Sequence, residues 1–464
     1  MRKGGSALRT YDLEKGRLCD TLCAALRADL LSGAIAPGAR LPSKRRLAEH
    51  HGISVTTVQN AYEQLIAEGY IEARERSGYF ALALPPTLAP SVPPVQTAEH
   101  CERVAALDLV ANAPDAAQFP FALWSRLMRQ VLSEEDSRLL APIPSSGAPA
   151  LTAAIADYLC AVRGMAVSPA QIVIGAGTEY LYSLLLQLLG RERVYGLENP
   201  GHSKIARIYR LNGVKIRPIP VDEGGVSDTA LAQSDASVLH ISPNHHFPTG
   251  AVMPVARRRA LLHWAEQADR YIVEDDYDSE FRHQGRPIPP LFGMDRTGRV
   301  IYVNTFSKTI APSIRISYMV LPLPLLEIWR TRLGFYSCPV PAFEQYALAR
   351  FLSGGYFEKH LRRMRTFYRA RRDAVIACLR AAPFAEYITI KEADAGLHFL
   401  LEIRTARTDD ALRALLRRAD IRAAFLQDYR IDGQSPDTHT IVCNYSGVGP
   451  EQLAAGIARL AALL

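Results

Sequence analysis

Lys308 stands just past an apolar, β-branched run, Val300-Ile301-Tyr302-Val303, that reads as a buried strand. Burial at such a strand end favours the neutral form of an amine, because desolvation lowers its pKa. A neutral amine attacks an aldehyde and forms a Schiff base. Thr305 and Ser307 precede the lysine and Arg315 follows it. Two hydroxyls and a guanidinium suit a phosphate, which accepts charge-assisted hydrogen bonds. Asp275, at the end of an earlier strand, offers an acid for a pyridine nitrogen. An aldehyde, a phosphate and a pyridine ring are the chemistry of pyridoxal phosphate (PLP). A lone lysine at a strand end is ordinarily a solvated charge, so the weight of this reading falls on the elements around it.

Those elements alternate. Gln171-Ile172-Val173-Ile174 is a short strand, followed by Gly175-Ala176-Gly177-Thr178-Glu179 and a helix from Leu181 to Leu189. Strand, small-residue turn and helix N-terminus form a natural anion cradle. Val194 to Leu197, Val238 to Ile241 and Arg270 to Val273 read as further strands. They end in the polar loops Glu198-Asn199-Pro200-Gly201-His202, Pro243 to Gly250 and Glu274 to Phe281. This is the pattern of an open, mostly parallel α/β sheet with its site at the carboxyl ends of the strands. The acidic run 274–280 could also suggest a metal, but no second cluster of matching ligands appears, and no metal site is expected. A smaller segment, about 330–464, mixes helices with short strands.

The first 80 residues are different. A helical period runs from Leu13 to Gly33, with Leu18, Leu22, Leu26 and Leu30 on one face. Ser43 is placed to cap a helix that Gly52 ends, and Ser54 to cap the next. Two helices joined by a short glycine-containing turn make a helix-turn-helix. Two short strands around Arg74-Glu75-Arg76-Ser77-Gly78 make a basic wing. Phosphate contacts are expected from Lys44, Arg45, Arg46, Arg74, Arg76 and the Gly78 backbone, and base-edge or backbone contacts from Ser54, Thr56, Thr57, Gln59 and Asn60. The segment carries 12 Lys+Arg against 9 Asp+Glu, so charge alone decides little. The expected division is 11–82 as a winged helix-turn-helix, 83–105 as a proline-rich linker and 106–464 as an effector domain.

At 464 residues, two or three domains are expected; 48% hydrophobic and 22% charged residues mark a globular chain. The net charge of +7 permits a nucleic-acid partner without establishing one. No signal peptide or membrane-spanning run is found. The seven cysteines are scattered, as expected of unpaired thiols in a cytoplasmic protein.

Leu30 to Gly33, Pro37 to Arg45, Leu47-Ala48, Ser54, Thr57-Val58, Ala61-Tyr62, Leu65, Glu68 to Ile71 and Ser77 to Phe80 resemble a GntR-type winged helix. That pattern has an arginine after the recognition-helix serine; Val55 is here instead. Residues 107–464 resemble a fold-type I aminotransferase, through Gly177-Thr178-Glu179, Glu198 to Gly201, His245, Phe247 to Gly250, Glu274 to Phe281, Thr305 to Lys308 and Ala311 to Arg315. The whole chain therefore resembles the MocR/GabR family of PLP-dependent transcriptional regulators.

The resemblance implies that Lys308 forms the Schiff base, Asp275 pairs with the pyridine nitrogen and Tyr277 donates to the phenolic oxygen. Gly177, Thr178, Glu179, Thr305, Ser307 and Arg315 would surround the phosphate. His202 stands where the family has a tyrosine stacked on the ring. It also implies a homodimer, paired head to tail with exchanged domains, on a double-stranded DNA operator.

Two features of amino-acid handling differ. Val442, in Ile441-Val442-Cys443-Asn444-Tyr445, stands where an aminotransferase has the arginine for the substrate carboxylate, with Arg422 and Arg430 as possible substitutes. The usual aromatic loop reads Pro142-Ile143-Pro144-Ser145-Ser146-Gly147. The expectation is a regulator with no catalytic residue, sensing PLP itself, similar to the PdxR-like regulators of vitamin B6 synthesis. Alternatives are a GabR-like sensor of an amino acid, an active aminotransferase, and a DNA-only regulator that has no cofactor.

Overall fold

The computed structural model describes residues 8–14, 16–83, 105–112, 114–134, 136–282, 288–391, 394–434 and 436–462. The chain divides into two compact units, Met1–Cys101 and Glu102–Leu464. The proline-rich stretch 83–105 lies almost wholly outside the described residues. Among the described residues, no helix is long and apolar enough to cross a membrane.

The first unit holds α1 (Leu18–Leu31), α2 (Lys44–His51), α3 (Val55–Ala67) and the hairpin β1 (Ile71–Arg74) and β2 (Gly78–Ala81). α1 is shorter than the 13–33 period suggested, because Gly16 adopts φ 92° and sets the chain outside helical geometry. Leu22, Leu26 and Leu30 pack on Leu47, Val58, Tyr62 and Leu65 in a small core. Ser43 Oγ accepts from Arg46 N to start α2, and Gly52 ends it in the left-handed region at φ 63°. Ser54 Oγ accepts from Thr57 N, 3.0 Å away, to start α3.

The second unit begins with β3 (Leu107–Asp108), then β4 (Ile172–Gly175), β5 (Val194–Asn199), β6 (Lys215–Asp222), β7 (Gly225–Val226), β8 (Val238–Ile241), β9 (Tyr271–Asp275), β10 (Val300–Thr305) and β11 (Ser317–Val320). One mixed sheet has the order β4-β11-β10-β9-β8-β5-β6-β7. β10, β9, β8, β5 and β6 are parallel neighbours, while β11 runs antiparallel between β10 and β4. All six residues of β10 are buried, as a central parallel strand covered on both faces requires. One face packs on Leu151, Ile155, Leu159 and Phe351; the other on Leu181, Leu185, Leu188 and Trp329.

Downstream lie β12 (Ile388–Lys391), β13 (His398–Ile403), β14 (Ile421–Arg422), β15 (Ala424–Phe425) and β16 (Thr440–Asn444). β12-β13-β16-β15 form a second sheet, and β14 pairs with β3. Asn444 at the end of β16 donates to Leu109 O and Val110 O, fixing the segment that leads to Asn112.

Candidate functional sites

The carboxyl ends of β4, β5, β8, β9 and β10 converge on one cleft. Lys308 follows β10, half-buried, and its ammonium donates to Asn112 O at 2.5 Å. Burial pulls its pKa down, and the Asp278 carboxylate opposes that pull. Asp275 ends β9 and is buried. Its Oδ2 accepts from Tyr182 Oη at 2.5 Å and lies 3.5 Å from His240 Nε2. Its Oδ1 is buried with no partner. Such an atom is costly unless something donates to it.

Tyr277 places its hydroxyl 3.3 Å from His245 Nδ1, which also contacts Asp278 Oδ2 at 2.9 Å. His202 precedes the helix Ser203–Leu211 at the open side of the cleft, its ring 5.6 Å from that of Phe247. Surrounding protein desolvates its imidazole and lowers its pKa; Asp275 and Lys308 are close enough to act on it as well.

The turn after β4 and the loop after β10 meet at the other end. Gly177 has φ 94° and caps the helix Thr178–Leu189. A Cβ on Gly177 would lie 2.2 Å from Arg315 Nη2, so only glycine admits the guanidinium there. Arg315 itself is in the left-handed region at φ 48°, with Nη2 donating to Ala176 O at 3.2 Å. Thr305 Oγ1 accepts from Ser307 N and from Ser317 Oγ, at 3.1 and 2.8 Å, which folds the turn before Lys308. The Glu179 carboxylate is ion-paired with Lys204.

A buried network underlies the cleft. Asp276 pairs with Arg163 and accepts from Tyr302 Oη at 2.7 Å and Asn244 Nδ2 at 2.9 Å. Arg258, fully buried, donates to Asn244 Oδ1 and Pro243 O. Glu198, next to the end of β5, accepts from Ser242 N at 3.0 Å, and burial pushes its pKa up to about 8.

Several cleft residues were not singled out from the sequence: Asn112, Tyr182, His240, Asp278 and His398. Tyr182 lies one helical turn beyond Thr178, and His240 sits beside β9 in register with Val273. Helical and strand periodicity could have drawn both toward Asp275. His398 comes from the second sheet, beyond any local signal. With His245 and Asp278 it forms a buried trio whose ligand atoms lie within 4.8 Å of one another, a grouping that the acidic run alone did not suggest.

Val442 is fully buried in β16. It lies opposite Leu400, as Asn444 lies opposite His398, so the four residues share one face of the second sheet. His398 on that face lies beside His245, the two rings tilted by 42° with centroids 4.6 Å apart. Arg422 is paired with Asp108 at 3.1 Å, and Arg430 with Asp432.

In the first unit, Lys44 Nζ donates to Gln59 Oε1 at 3.2 Å, and Gln59 Nε2 to Glu63 at 2.8 Å. Ser54 and Thr57 share a hydroxyl contact of 2.8 Å. Arg45, Arg46, Thr56, Asn60 and Arg76 are exposed. Arg74 is held by Glu72 and lies over Phe80, 4.5 Å from the ring centre. Gly78, at φ 112°, sits under Arg40, whose Nε would be 3.2 Å from a Cβ there. Arg40 joins Ser43, Lys44, Arg45 and Gly78 around a hollow of about 230 Å³, and was not among the expected contacts.

These two sites define the class: a DNA-binding head of the gntR type on an aminotransferase-like body. Residues 18–80 match the family of bacterial regulatory proteins, gntR family, and residues 106–427 match aminotransferase class I and II. The HTH-type transcriptional regulator YdeL of Bacillus subtilis is 35% identical over 98% of this chain and 97% of its own. The probable rhizopine catabolism regulatory protein MocR of Rhizobium meliloti is 34% identical over 93% and 90%. The pyridoxine biosynthesis transcriptional regulator PdxR of Corynebacterium glutamicum is 33% identical over 81% of each chain. Among solved structures, an archaeal alanine:glyoxylate aminotransferase superposes with a TM-score of 0.69 at 25% identity, covering 77% of this chain and 90% of its own. The chain belongs to the MocR/GabR family of HTH-type transcriptional regulators.

Proposed function

We propose that this regulator binds PLP through Lys308 and uses it as its effector, controlling vitamin B6 synthesis. The residues fit the group. Asp275 Oδ1 is a buried acceptor in need of a donor, and a protonated pyridine nitrogen would supply one. Gly177 admits the Arg315 guanidinium, which brings positive charge to a helix N-terminus where a phosphate would sit. When bound, PLP supplies an aldehyde carbon and an electron-withdrawing ring. Lys308 supplies the amine, favoured in its neutral form by burial. Tyr182 donates to Asp275 Oδ2, with His240 Nε2 3.5 Å away, so that Oδ1 keeps one direction. Tyr277 serves the phenolic oxygen and His202 the ring face. Thr178, Thr305, Ser307 and Arg315 serve the phosphate.

The observation that carries the effector reading is Val442. It lies on the sheet face shared with His398, and an apolar side chain there offers no bidentate partner for an amino-acid carboxylate. Arg422 and Arg430 are already bound to carboxylates. The similarity to PdxR supports the link to vitamin B6. Residues 11–82 act as the DNA reader, 83–105 as the linker and 106–464 as the effector domain, in a head-to-tail homodimer in the cytoplasm. PLP alters DNA binding only if two states of the dimer hold it with different affinity.

An absorption titration with PLP, followed by a panel of amino acids, tests this, alongside DNA binding at fixed salt. PLP should produce the visible band of a lysine adduct and change DNA binding, and no amino acid should alter the band. A rapid shift with one amino acid would make the protein an amino-acid sensor. Steady transamination with a 2-oxo acid would make it an enzyme.

A further inference from the structure

We propose that Val55 makes the recognition helix a reader of thymine methyl groups. This rests on the gntR-type DNA-binding assignment of the first unit. α3 buries Val58, Ala61, Tyr62 and Leu65 against the unit's core. Its opposite face, at the N-terminal end, is the part of a helix-turn-helix that meets base edges in the major groove. Most polar groups there are already occupied within the protein. Ser54 Oγ is held by Thr57, through its amide at 3.0 Å and its hydroxyl at 2.8 Å. Gln59 is held between Lys44 and Glu63.

Val55 is the exception in kind. It is 43% exposed, an aliphatic side chain on the first turn of α3. Folding gives no reason for it: valine is a mediocre helix former, and this one is not part of the buried face. Among base edges in the major groove, the distinctive apolar feature is the C5-methyl of thymine. Lys44, Arg45, Arg46 and the wing supply phosphate contacts that bring α3 to the groove without carrying sequence information. Val55 then contributes the apolar surface that selects T over C, two pyrimidines that otherwise differ in their polar edge.

The test uses the full-length protein and duplexes selected from a randomised library at fixed salt. Each thymine of a selected half-site is replaced in turn by deoxyuridine, which deletes only the methyl. One thymine per half-site should be found whose replacement weakens binding about fourfold, the size expected for burying a single methyl-sized group. Val55→Ala should keep its melting temperature and lose that dependence. A parent protein indifferent to every methyl, or a methyl that matters equally to Val55→Ala, would overturn the proposal while leaving the DNA-reader assignment standing. Failure to select any preferred duplex would overturn both.

Discussion

The two sheets of the second unit face the cleft with opposite chemistry. The carboxyl ends of β9 and β10 bring Asp275, Asp276, Tyr277, Asp278 and Lys308 to it, backed by Arg163 and Arg258. The face of β13 and β16 brings His398, Leu400, Val442 and Asn444. Burial depresses the His398 imidazole well below its usual range, so that face carries no cation near neutral pH. Holding a cofactor requires the first wall. Holding an amino-acid carboxylate requires a cation on the second. On the proposed reading, having the first set of groups without the second is what would separate a ligand-binding module from a transaminase, although both share one fold.

The largest effect should come from removing the amine. Lys308→Ala should show no visible band at any PLP concentration, against a saturating band in the parent; a variant that keeps the band would break the contrast at its centre. The next effect concerns stability. Arg163→Ala leaves Asp276 buried without its ion-pair partner and should cost about 3–5 kcal/mol. Val442→Ala removes only aliphatic volume from the other wall and should cost less, about 1–2 kcal/mol, in denaturant unfolding. Equal costs would mean that the two walls do not differ in electrostatic stake. Asp275→Asn keeps the shape of the carboxylate and removes its charge. It should weaken PLP binding about tenfold to a hundredfold, as loss of a charge-assisted bond does, and leave the Lys308 band otherwise intact.

How much of this was legible follows the same division. Lys308, Asp275 and Gly177 announce themselves because each stands at the end of an apolar run, where period and turn chemistry are local. The caps Ser43 and Ser54 are legible for the same reason, and the structure places both side chains on the expected amides. The helical period read from Leu13 is longer than α1, because Gly16, with its positive φ, breaks the helix that the period alone would extend. Glu179 belongs to the expected phosphate cradle through the family resemblance, as part of Gly177-Thr178-Glu179. Its partner Lys204 belongs to the next helix, so the ion pair is invisible until the helices pack. His398, Asn444 and Asn112 are set by long-range sheet pairing, which sequence period does not encode. Val442 was legible only through resemblance; the pairing of β13 with β16 then supplied the physical face on which it lies.

The smallest effect probes how the polar wall is kept from overcharging. Glu198 joins Asp275 at the strand ends, and burial raises its pKa from 4.5 to about 8. The folded protein therefore keeps this proton where the unfolded chain has released it. The sign follows from linkage: between about pH 4.5 and 8 the unfolded state binds fewer protons, so the Glu198 contribution to stability is fully present below that range and falls as pH rises through it. His246, 3.4 Å from Glu198 and lowered by burial to about 3, acts in the opposite sense, adding stability as pH rises from about 3 to 6.5. Glu198→Gln holds the neutral state permanently and can still accept from Ser242 N. Its melting temperature should match the parent at pH 4, below that range, and exceed it by a few degrees at pH 8.5. A parent-to-variant difference that does not grow with pH would mean that the Glu198 carboxyl is already ionised at the strand ends, and that the polar wall carries one more negative charge than its hydrogen bonding indicates.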